Sequence, residues 1–255
     1  MSDLAPASQQ IRKLNITDLE RIERYRIAGY GGAIADVLLR LGVRNTLLSL
    51  RFRPLRQAMQ LAGRALPIKG HSVALDELSP TERQAFDQKL EDEGGHPQER
   101  MMRAIVEAED GVILCYDTGG DMRIGHAGEM TCQLAYAQGC RGMLVAGNLR
   151  DTQYIIQMQD FPVFSFGACP FTDVNWIITE INRPIYMPGH LSHYVPIMPD
   201  DFLFGDNDGV QVIPADLVDE VLLQVEAVHA HEDKVRAALT GGMPVAEVYR
   251  VFGVL

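Results

Sequence analysis

Residues 111–167 of this 255-residue chain decide its fold, because short apolar runs alternate there with amphipathic runs of helical spacing. A regular strand–helix–strand alternation is typical of parallel βαβ units whose helices cover the faces of the sheet. The sequence therefore predicts an α/β protein with parallel strands at its centre. In order, the runs are GVILCYD (111–117), GEMTCQLAYAQG (128–139), RGMLVAG (141–147), DTQYIIQMQ (151–159) and FPVFSFG (161–167).

Helical segments are expected on both sides of these strands. Thr17 or Asp18 is the candidate N-cap of a first helix, and an amphipathic run leads from Ala215 towards a Gly-Gly stop at 241–242. No internal repeat, low-complexity tract or Pro/Ser linker interrupts the chain. We therefore expect one domain, divided into a helical arm (1–45), a core (46–214) and a C-terminal helical segment (215–255).

The segment between the arm and the first βαβ unit predicts strands followed by two helices. Residues 60–75 mix apolar and small residues without a helical period, which favours strands. Ser79-Pro-Thr-Glu82 is a capping-box pattern, so a charged helix is expected to about Glu93, where Gly94-Gly95 ends it. Pro97 then opens a helix through Ala108. Later, 182–208 is predicted as a turn-rich stretch, and Val210–Ile213 as a short strand.

Composition and charge exclude several classes of protein. With 34 acidic and 23 basic residues the net charge is −11, which repels a polyphosphate, so nucleic acid is not expected as a partner. The apolar runs fall far short of the roughly 20 residues that span a bilayer, so no membrane partner is expected. The N-terminus lacks the apolar stretch of a secretory signal, which favours the cytoplasm and free thiols. The four cysteines form no CxxC pair and predict no zinc site.

The glycines that follow the first strand invite a nucleotide interpretation, which the spacing does not support. Gly119, Gly120, Gly125 and Gly128 do not form GxGxxG, and GxxxxGK[ST] occurs nowhere. Two interpretations remain open. The loop is either a plain turn, or it leads into a helix N-terminus whose backbone N–H groups suit a carboxylate or phosphate.

Glu129, Arg150 and Asp151 follow neighbouring strands and are the candidate site. Ligands of open α/β sheets collect at the carboxyl ends of strands, so these side chains are expected to share one crevice. A guanidinium beside carboxylate oxygens suits a metal-assisted reaction on a keto acid. The alternative is an Arg–Asp pair that only braces a loop. His126 lies near the crevice, whereas the Asp206–Gly209 segment lacks the ligands of a calcium loop and is predicted as a turn.

The residues from Gly119 to Ser165 carry a family resemblance. Glu129 is separated by twenty residues from Arg150-Asp151, and FPVFS (161–165) follows. This pattern resembles the RraA-like proteins, which include the 4-hydroxy-4-methyl-2-oxoglutarate aldolases. The resemblance extends over roughly residues 25–250, because GDNDGVQVIP (205–214) looks like the family's late hairpin.

The resemblance implies a three-layer β/β/α swivelling-type domain assembled as a homotrimer or homohexamer, with sites at subunit interfaces. It implies Mg²⁺ or Mn²⁺ held by Asp151 and Glu129, and Arg150 on the keto oxygen of a 2-oxo acid. The helix N-terminus would bind the carboxylate of the pyruvyl group. A neighbouring copy's C-terminal helix would add a carboxylate, for which Glu232 is the first match and Asp233 the next. At the N-terminus of that helix, the resemblance implies that Gly128 and the backbone N–H groups of Met130 and Thr131 bind the carboxylate.

The function implied is that of a divalent-metal-dependent (class II) pyruvate aldolase, a carbon–carbon lyase that also decarboxylates oxaloacetate. The alternative within the family is a non-enzymatic regulator that inhibits a ribonuclease by binding protein. Tyr154 and Ala146 stand where many members carry acidic residues, and the helix at 79–93 looks like an insertion. These departures bear on the identity of the substrate more than on the metal chemistry.

Overall fold

The chain forms a curled sheet with helices packed at both ends, seen in a computed structural model that describes residues 11–73, 78–92, 95–108, 111–172 and 175–253. The helices are α1 (Asp18–Ala28), α2 (Gly31–Arg40), α3 (Pro80–Asp92), α4 (Pro97–Glu107), α5 (Glu129–Ala137), α6 (Thr152–Ile155), α7 (Val218–Thr240) and α8 (Val245–Phe252). The strands are β1 (Arg53–Pro54), β2 (Leu61–Val73), β3 (Val112–Asp117), β4 (Gly125–Ala127), β5 (Met143–Leu149), β6 (Val163–Ala168), β7 (Asn175–Ile181), β8 (Ile185–Pro188), β9 (Tyr194–Ile197), β10 (Phe202–Gly205) and β11 (Val210–Ile213).

The main sheet runs in the order β1-β6-β5-β3-β2-β10-β11, with β4 added beside β5 and β7 beside β2. The strands β2, β3, β5 and β6 are parallel neighbours, which confirms the βαβ alternation expected from the sequence. The strands β1, β7, β10 and β11 join antiparallel. The sheet is therefore mixed, with its parallel part at the centre.

Side chains alternate between two buried faces of this sheet, as the period of two in a strand requires. In β3, Leu114 and Tyr116 face the helices α4 and α5, whereas Ile113 and Cys115 face the β8–β9 pair. The expected three β/β/α layers are thus the β8–β9 pair, the main sheet and the helices.

The two chain ends pack together over β10 and β11. Apolar residues of α1, α2 and α7 form one cluster with Phe202 and Phe204. Polar contacts tie the same helices: the Tyr25 hydroxyl donates to the Val218 carbonyl at 2.7 Å, and Arg21 pairs with Asp219 at 2.6 Å. Among the described residues, no helix combines the length and the apolar character needed to cross a membrane.

Local capping follows the sequence closely at two helices. Thr17 is the N-cap of α1 and exchanges capping-box hydrogen bonds with Glu20. Ser79 and Glu82 make the reciprocal contacts at the start of α3, which is described to Asp92. The predicted end of α3 at Glu93 and Gly94 lies outside the described residues.

Several elements differ from the sequence-based expectation. The helix predicted at 151–159 is a single turn, because from Gln157 onward the N–H groups bond three residues back before Pro162. The described part of 60–75 holds one long strand, β2 (Leu61–Val73), where several were expected, and β4 interrupts the glycine loop before α5. The stretch 182–208 holds β8, β9 and β10, whose apolar alternation is obscured by interspersed proline, glycine and histidine.

Candidate active site

Arg150 and Asp151 stand at the carboxyl end of β5, as the sequence predicts. The Arg150 N–H donates to the Ala127 carbonyl at 2.9 Å, and the Cys169 N–H donates to the Leu149 carbonyl at 2.8 Å. These bonds fasten the end of β5 to the strands on either side. The Arg-Asp pair therefore projects from a rigid edge of the sheet.

Asp151 occupies the left-handed region of backbone conformation, with φ 55° and ψ 29°. Aspartate tolerates this region better than most residues, although the conformation still costs free energy. Residues in such conformations are concentrated at functional sites. The Arg150 Nε donates to Asp151 Oδ2 at 3.2 Å, and the Arg150 Nη1 donates to Thr172 Oγ1 at 3.2 Å. Arginine has five N–H donors, so others remain available to a ligand.

Gly128 lets the Asp151 carboxylate lie against the start of α5. A Cβ built at residue 128 would lie 2.5 Å from Asp151 Oδ2 and 3.2 Å from Arg150 Cγ. As the N-cap, Gly128 provides no side-chain hydrogen bond to the helix. The first N–H groups of a helix have no partner within the helix, and here they belong to Glu129, Met130 and Thr131. A small anion can reach these groups beside Arg150.

The side chain of Glu129 borders a groove together with Gln133 and Tyr154, whereas Arg150 lines a separate cavity. Burial raises the pKa of the nearby Cys132 thiol to about 12, and the negative charges of Glu129 and Asp151 act in the same direction. Cys132 is therefore a thiol at neutral pH and not a soft metal ligand. The remaining donors are carboxylate oxygens, which suit a hard cation such as Mg²⁺ or Mn²⁺.

Glu232 lies elsewhere in the same chain. It accepts a hydrogen bond from the Tyr30 hydroxyl and another from Arg236 Nη2, the latter at 2.6 Å. Burial and the bond to Glu232 raise the pKa of Tyr30 to about 12. Within the part of the chain that the structure describes, no group of three or more His, Cys, Asp or Glu residues could hold a metal. A complete ligand set thus needs water or another chain.

A cavity of about 550 Å³ opens beside Arg150, Thr131 and Thr172. Its inner wall includes the stacked rings of Tyr116 and Trp176, whose centroids are 4.5 Å apart, and the buried His126. The helices α3 and α4 border its other side. Sequence analysis flagged His126 but missed Tyr116, Trp176 and Thr172, although the insertion at 79–93 could have indicated an added wall.

The Asp206–Gly209 segment and two histidines of α7 have structural roles. Asp206 accepts hydrogen bonds from the Gly31 N–H at 2.7 Å and the Asp208 N–H at 2.9 Å, so the Asp206–Gly209 segment is a braced turn, as predicted. His229 contacts Asp233 at 3.3 Å, whereas the His231 ring packs edge-on against Phe252. The two histidines do not share a ligand.

Known proteins with similar sequences include aldolases. The chain is 28% identical over 117 residues to the 4-hydroxy-4-methyl-2-oxoglutarate aldolase of Thermus thermophilus, a segment that covers 45% of this chain and 66% of that protein. It is 30% identical over 149 residues to a Halalkalibacterium halodurans protein provisionally given the same name, covering 58% of this chain and 68% of the relative. Protein DlpA of Legionella pneumophila is 25% identical over 210 residues, which cover 82% of this chain and only 30% of DlpA.

Solved structures share the fold across most of the chain. An uncharacterized protein from Pseudomonas syringae matches with a TM-score of 0.67 at 18% identity, covering 92% of this chain and 99% of that one. RraAS2 of Streptomyces coelicolor, described as an unusual member of the RNase ES inhibitor RraA family, matches with a TM-score of 0.63 at 18% identity, covering 88% and 99%. The profile of the RraA-like family (Aldolase/RraA) matches residues 32–212. Since this match spans more than half of the sequence, the chain belongs to the RraA-like family.

Proposed function

We propose that this protein is a divalent-metal-dependent lyase that cleaves a 4-hydroxy-2-oxo acid to pyruvate and a carbonyl product, and that it also decarboxylates oxaloacetate. One observation carries the proposal: Gly128 allows the Asp151 carboxylate and the Arg150 guanidinium to meet at the N-terminus of α5. This proximity supports the assignment of the helix start to carboxylate binding, of Arg150 to the oxyanion and of Asp151 to a hard metal ion. The names of the aldolase relatives agree with this chemistry.

The substrate would be held at both ends of its pyruvyl group. The backbone N–H groups of Met130 and Thr131 would bind the carboxylate, since the helix terminus favours an anion there. The Arg150 guanidinium would donate to the keto oxygen, on which negative charge develops as the bond between C3 and C4 breaks. Arg150 therefore contributes more in the transition state than in the ground state.

Asp151 and Glu129 would hold the cation. Together with Arg150 they leave one net negative charge at the site, which favours binding of a divalent ion. The chemistry that such an ion supplies is Lewis-acid polarisation of the keto oxygen. Arg150 also neutralises part of the Asp151 charge, and it fixes Oδ2 through the bond at 3.2 Å.

We further propose that the site is completed in a homotrimer or homohexamer, with Glu232 of a neighbouring copy as the added carboxylate. Two features support assembly. The two carboxylates of Asp151 and Glu129 are too few for a full ligand set. Large apolar side chains also flank the site at the surface, where Met130 is 65% exposed and Tyr154 is 55% exposed. Such side chains are commonly covered in interfaces.

The substitution Arg150→Lys separates catalysis from loop bracing. Lysine keeps the charge but not the planar fork of donors, and loss of one oxyanion donor costs about 10²–10³ in kcat. We expect the variant to fold, assemble and bind Mn²⁺ as the wild type does, while kcat on oxaloacetate falls at least about a hundredfold. Pyruvate release and Mn²⁺ titration check the two parts of this expectation.

Retention of near-normal kcat by Arg150→Lys would leave Arg150 as a loop brace. The family alternative, a protein-binding regulator of ribonuclease, would then replace the lyase as the proposed function. Arg150 contacts Thr172 as well as Asp151, so a thermal unfolding measurement on the same variant shows how much of any effect is structural.

A further inference from the structure

The cavity beside Arg150 is larger than a pyruvyl group requires. Its volume of about 550 Å³ lies within the range of pockets that enclose whole organic ligands. Thr131 and Arg150 border both this cavity and the proposed pyruvyl site. A substrate held by its carboxylate and keto groups would therefore direct its C4 substituent into the cavity.

Two polar side chains in the cavity wall have no hydrogen-bond partner among the described residues. Both ring nitrogens of His126 are buried without a partner, and so is Nε1 of Trp176. His126 is only 9% exposed, and it lies edge-on to Trp176 with 6.2 Å between ring centroids. Buried polar groups without partners cost about 1–3 kcal/mol each, so their persistence indicates a missing partner. A bound ligand can provide it.

The inner wall carries no net charge at neutral pH. Burial lowers the pKa of His126, so its imidazole is neutral there, with one donor and one acceptor nitrogen. The Trp176 indole is a donor only. At the rim, Arg83 and Asp87 of α3 contribute opposite charges. His96, Gln98 and Arg150 also line the cavity, and its apolar or aromatic part includes Phe86, Met101, Tyr116 and Ile178.

We propose that this cavity selects 4-hydroxy-2-oxo acids whose C4 carries an uncharged ring with a hydroxyl or carbonyl group, recognised by His126 and Trp176. The inference rests on the lyase function proposed above. In the reaction the bond between C3 and C4 breaks, and the hydroxyl group on C4 loses its proton. C4 becomes the carbonyl of a ring-bearing aldehyde, while C3 of the pyruvate enolate takes up a proton, so no oxidant or reductant is needed. A C4 carboxylate placed beside His126 and Trp176 would bury its charge against uncharged groups, which is unfavourable.

Substrate pairs test the selection directly. Pyruvate release is measured with Mg²⁺ from 4-hydroxy-2-oxo acids that bear 4-hydroxyphenyl, phenyl or carboxylate groups on C4. We expect kcat/KM for the hydroxyphenyl substrate to exceed that for the phenyl substrate by about 3–10-fold, the value of one hydrogen bond. In His126→Leu and in Trp176→Phe this preference should shrink, mainly because KM for the hydroxyphenyl substrate rises. The matched control His190→Leu changes an exposed histidine of the β8–β9 hairpin and should retain the wild-type preference for the hydroxyphenyl substrate.

Fluorescence provides a readout that does not depend on turnover, because Trp176 is the single tryptophan of the chain. Benzyl alcohol, an uncharged ring with a hydroxyl, should change the Trp176 emission saturably, whereas the dianion succinate should not at equal concentration. Benzyl alcohol should bind about 3–10-fold more weakly to His126→Leu.

The outcomes separate this inference from the function on which it rests. Preference for the C4-carboxylate substrate, or no saturable response to benzyl alcohol, overturns the inference and leaves the lyase function standing if pyruvate is released. Absence of pyruvate from every substrate and from oxaloacetate overturns the lyase function. The fluorescence result then still decides whether the cavity binds an uncharged ring.

Discussion

Replacing Gly128 with alanine should displace the Asp151 carboxylate without unfolding the protein. The new Cβ would stand 2.5 Å from Asp151 Oδ2, whereas ordinary contacts begin at about 3.4 Å, so the carboxylate has to move by about 0.9 Å. The Gly128 backbone has φ −109° and ψ −178°, a conformation that alanine adopts freely. The strain therefore falls on the neighbouring side chain.

The two expected magnitudes differ. Misplacing a catalytic group by 1 Å can cost about 10²-fold in rate, so kcat on oxaloacetate should fall about a hundredfold in Gly128→Ala. Stability should change by no more than about 1 kcal/mol, because a poorer N-cap is offset by a less flexible unfolded chain. In a protein of this size that corresponds to a shift in Tm of about 2–4 °C. Steady-state kinetics and thermal unfolding measure the two quantities.

Gly241→Ala is the matched control. Gly241 caps the exposed end of α7, and a Cβ there would come no closer than 3.2 Å to another atom. This variant should retain wild-type kcat. If Gly128→Ala also retains kcat to within about threefold, the position of the Asp151 carboxylate does not matter to the reaction. Asp151 would then not be part of the active site.

Two further predictions concern acid stability and assembly. The hydrogen bond from Arg12 lowers the pKa of the buried Glu220 to about 2, below its usual value near 4.3. The carboxylate therefore stabilises the fold above about pH 4.3 and loses this effect as the pH falls towards 2. Glu220→Gln should have a lower Tm than the wild type at pH 7, and the difference in Tm between the two proteins should narrow below pH 4. A difference in Tm that stays constant between pH 7 and pH 3 would contradict this. Co-expressed Arg150→Lys and Glu232→Gln chains should recover activity that each variant lacks alone, since a mixed assembly contains sites with both native residues. If the mixture is no more active than its parts, Glu232 does not complete a neighbour's site.

The centre of the sheet could be predicted because the apolar pattern of each strand lies within a short stretch of sequence. β3, β5 and the first half of β6 are buried on both faces, so they are continuous apolar runs, and a parallel arrangement follows. The N-cap at Thr17 was equally local. The pairing of β10 with β2 was not predictable, because the paired residues Ala62 and Phe204 lie 142 positions apart in the sequence. β8 and β9 escaped notice because two-stranded hairpins contain few residues and these include prolines.

The candidate site divides in the same way. Arg150 and Asp151 could be placed at a strand end from sequence, because ligand-binding edges of α/β sheets are a general rule. The close approach between Gly128 and Asp151 depends on how β4 and β5 align, and the sequence alone does not predict that alignment. Trp176 could not be anticipated, since it reaches the cavity from β7, which pairs antiparallel with β2. The contribution of Glu232 remains a prediction about a second copy of the chain.

The proposed reaction cleaves a carbon–carbon bond with the help of a divalent cation. Its decisive test is pyruvate release from oxaloacetate and from 4-hydroxy-2-oxo acids by the purified protein, after chelation with EDTA and again after readdition of Mg²⁺ or Mn²⁺. One guanidinium alone stabilises the enolate too weakly, so we expect release above the spontaneous rate only when metal is present, and its loss in Arg150→Lys. Release that persists after thorough chelation and does not respond to added metal would contradict the account.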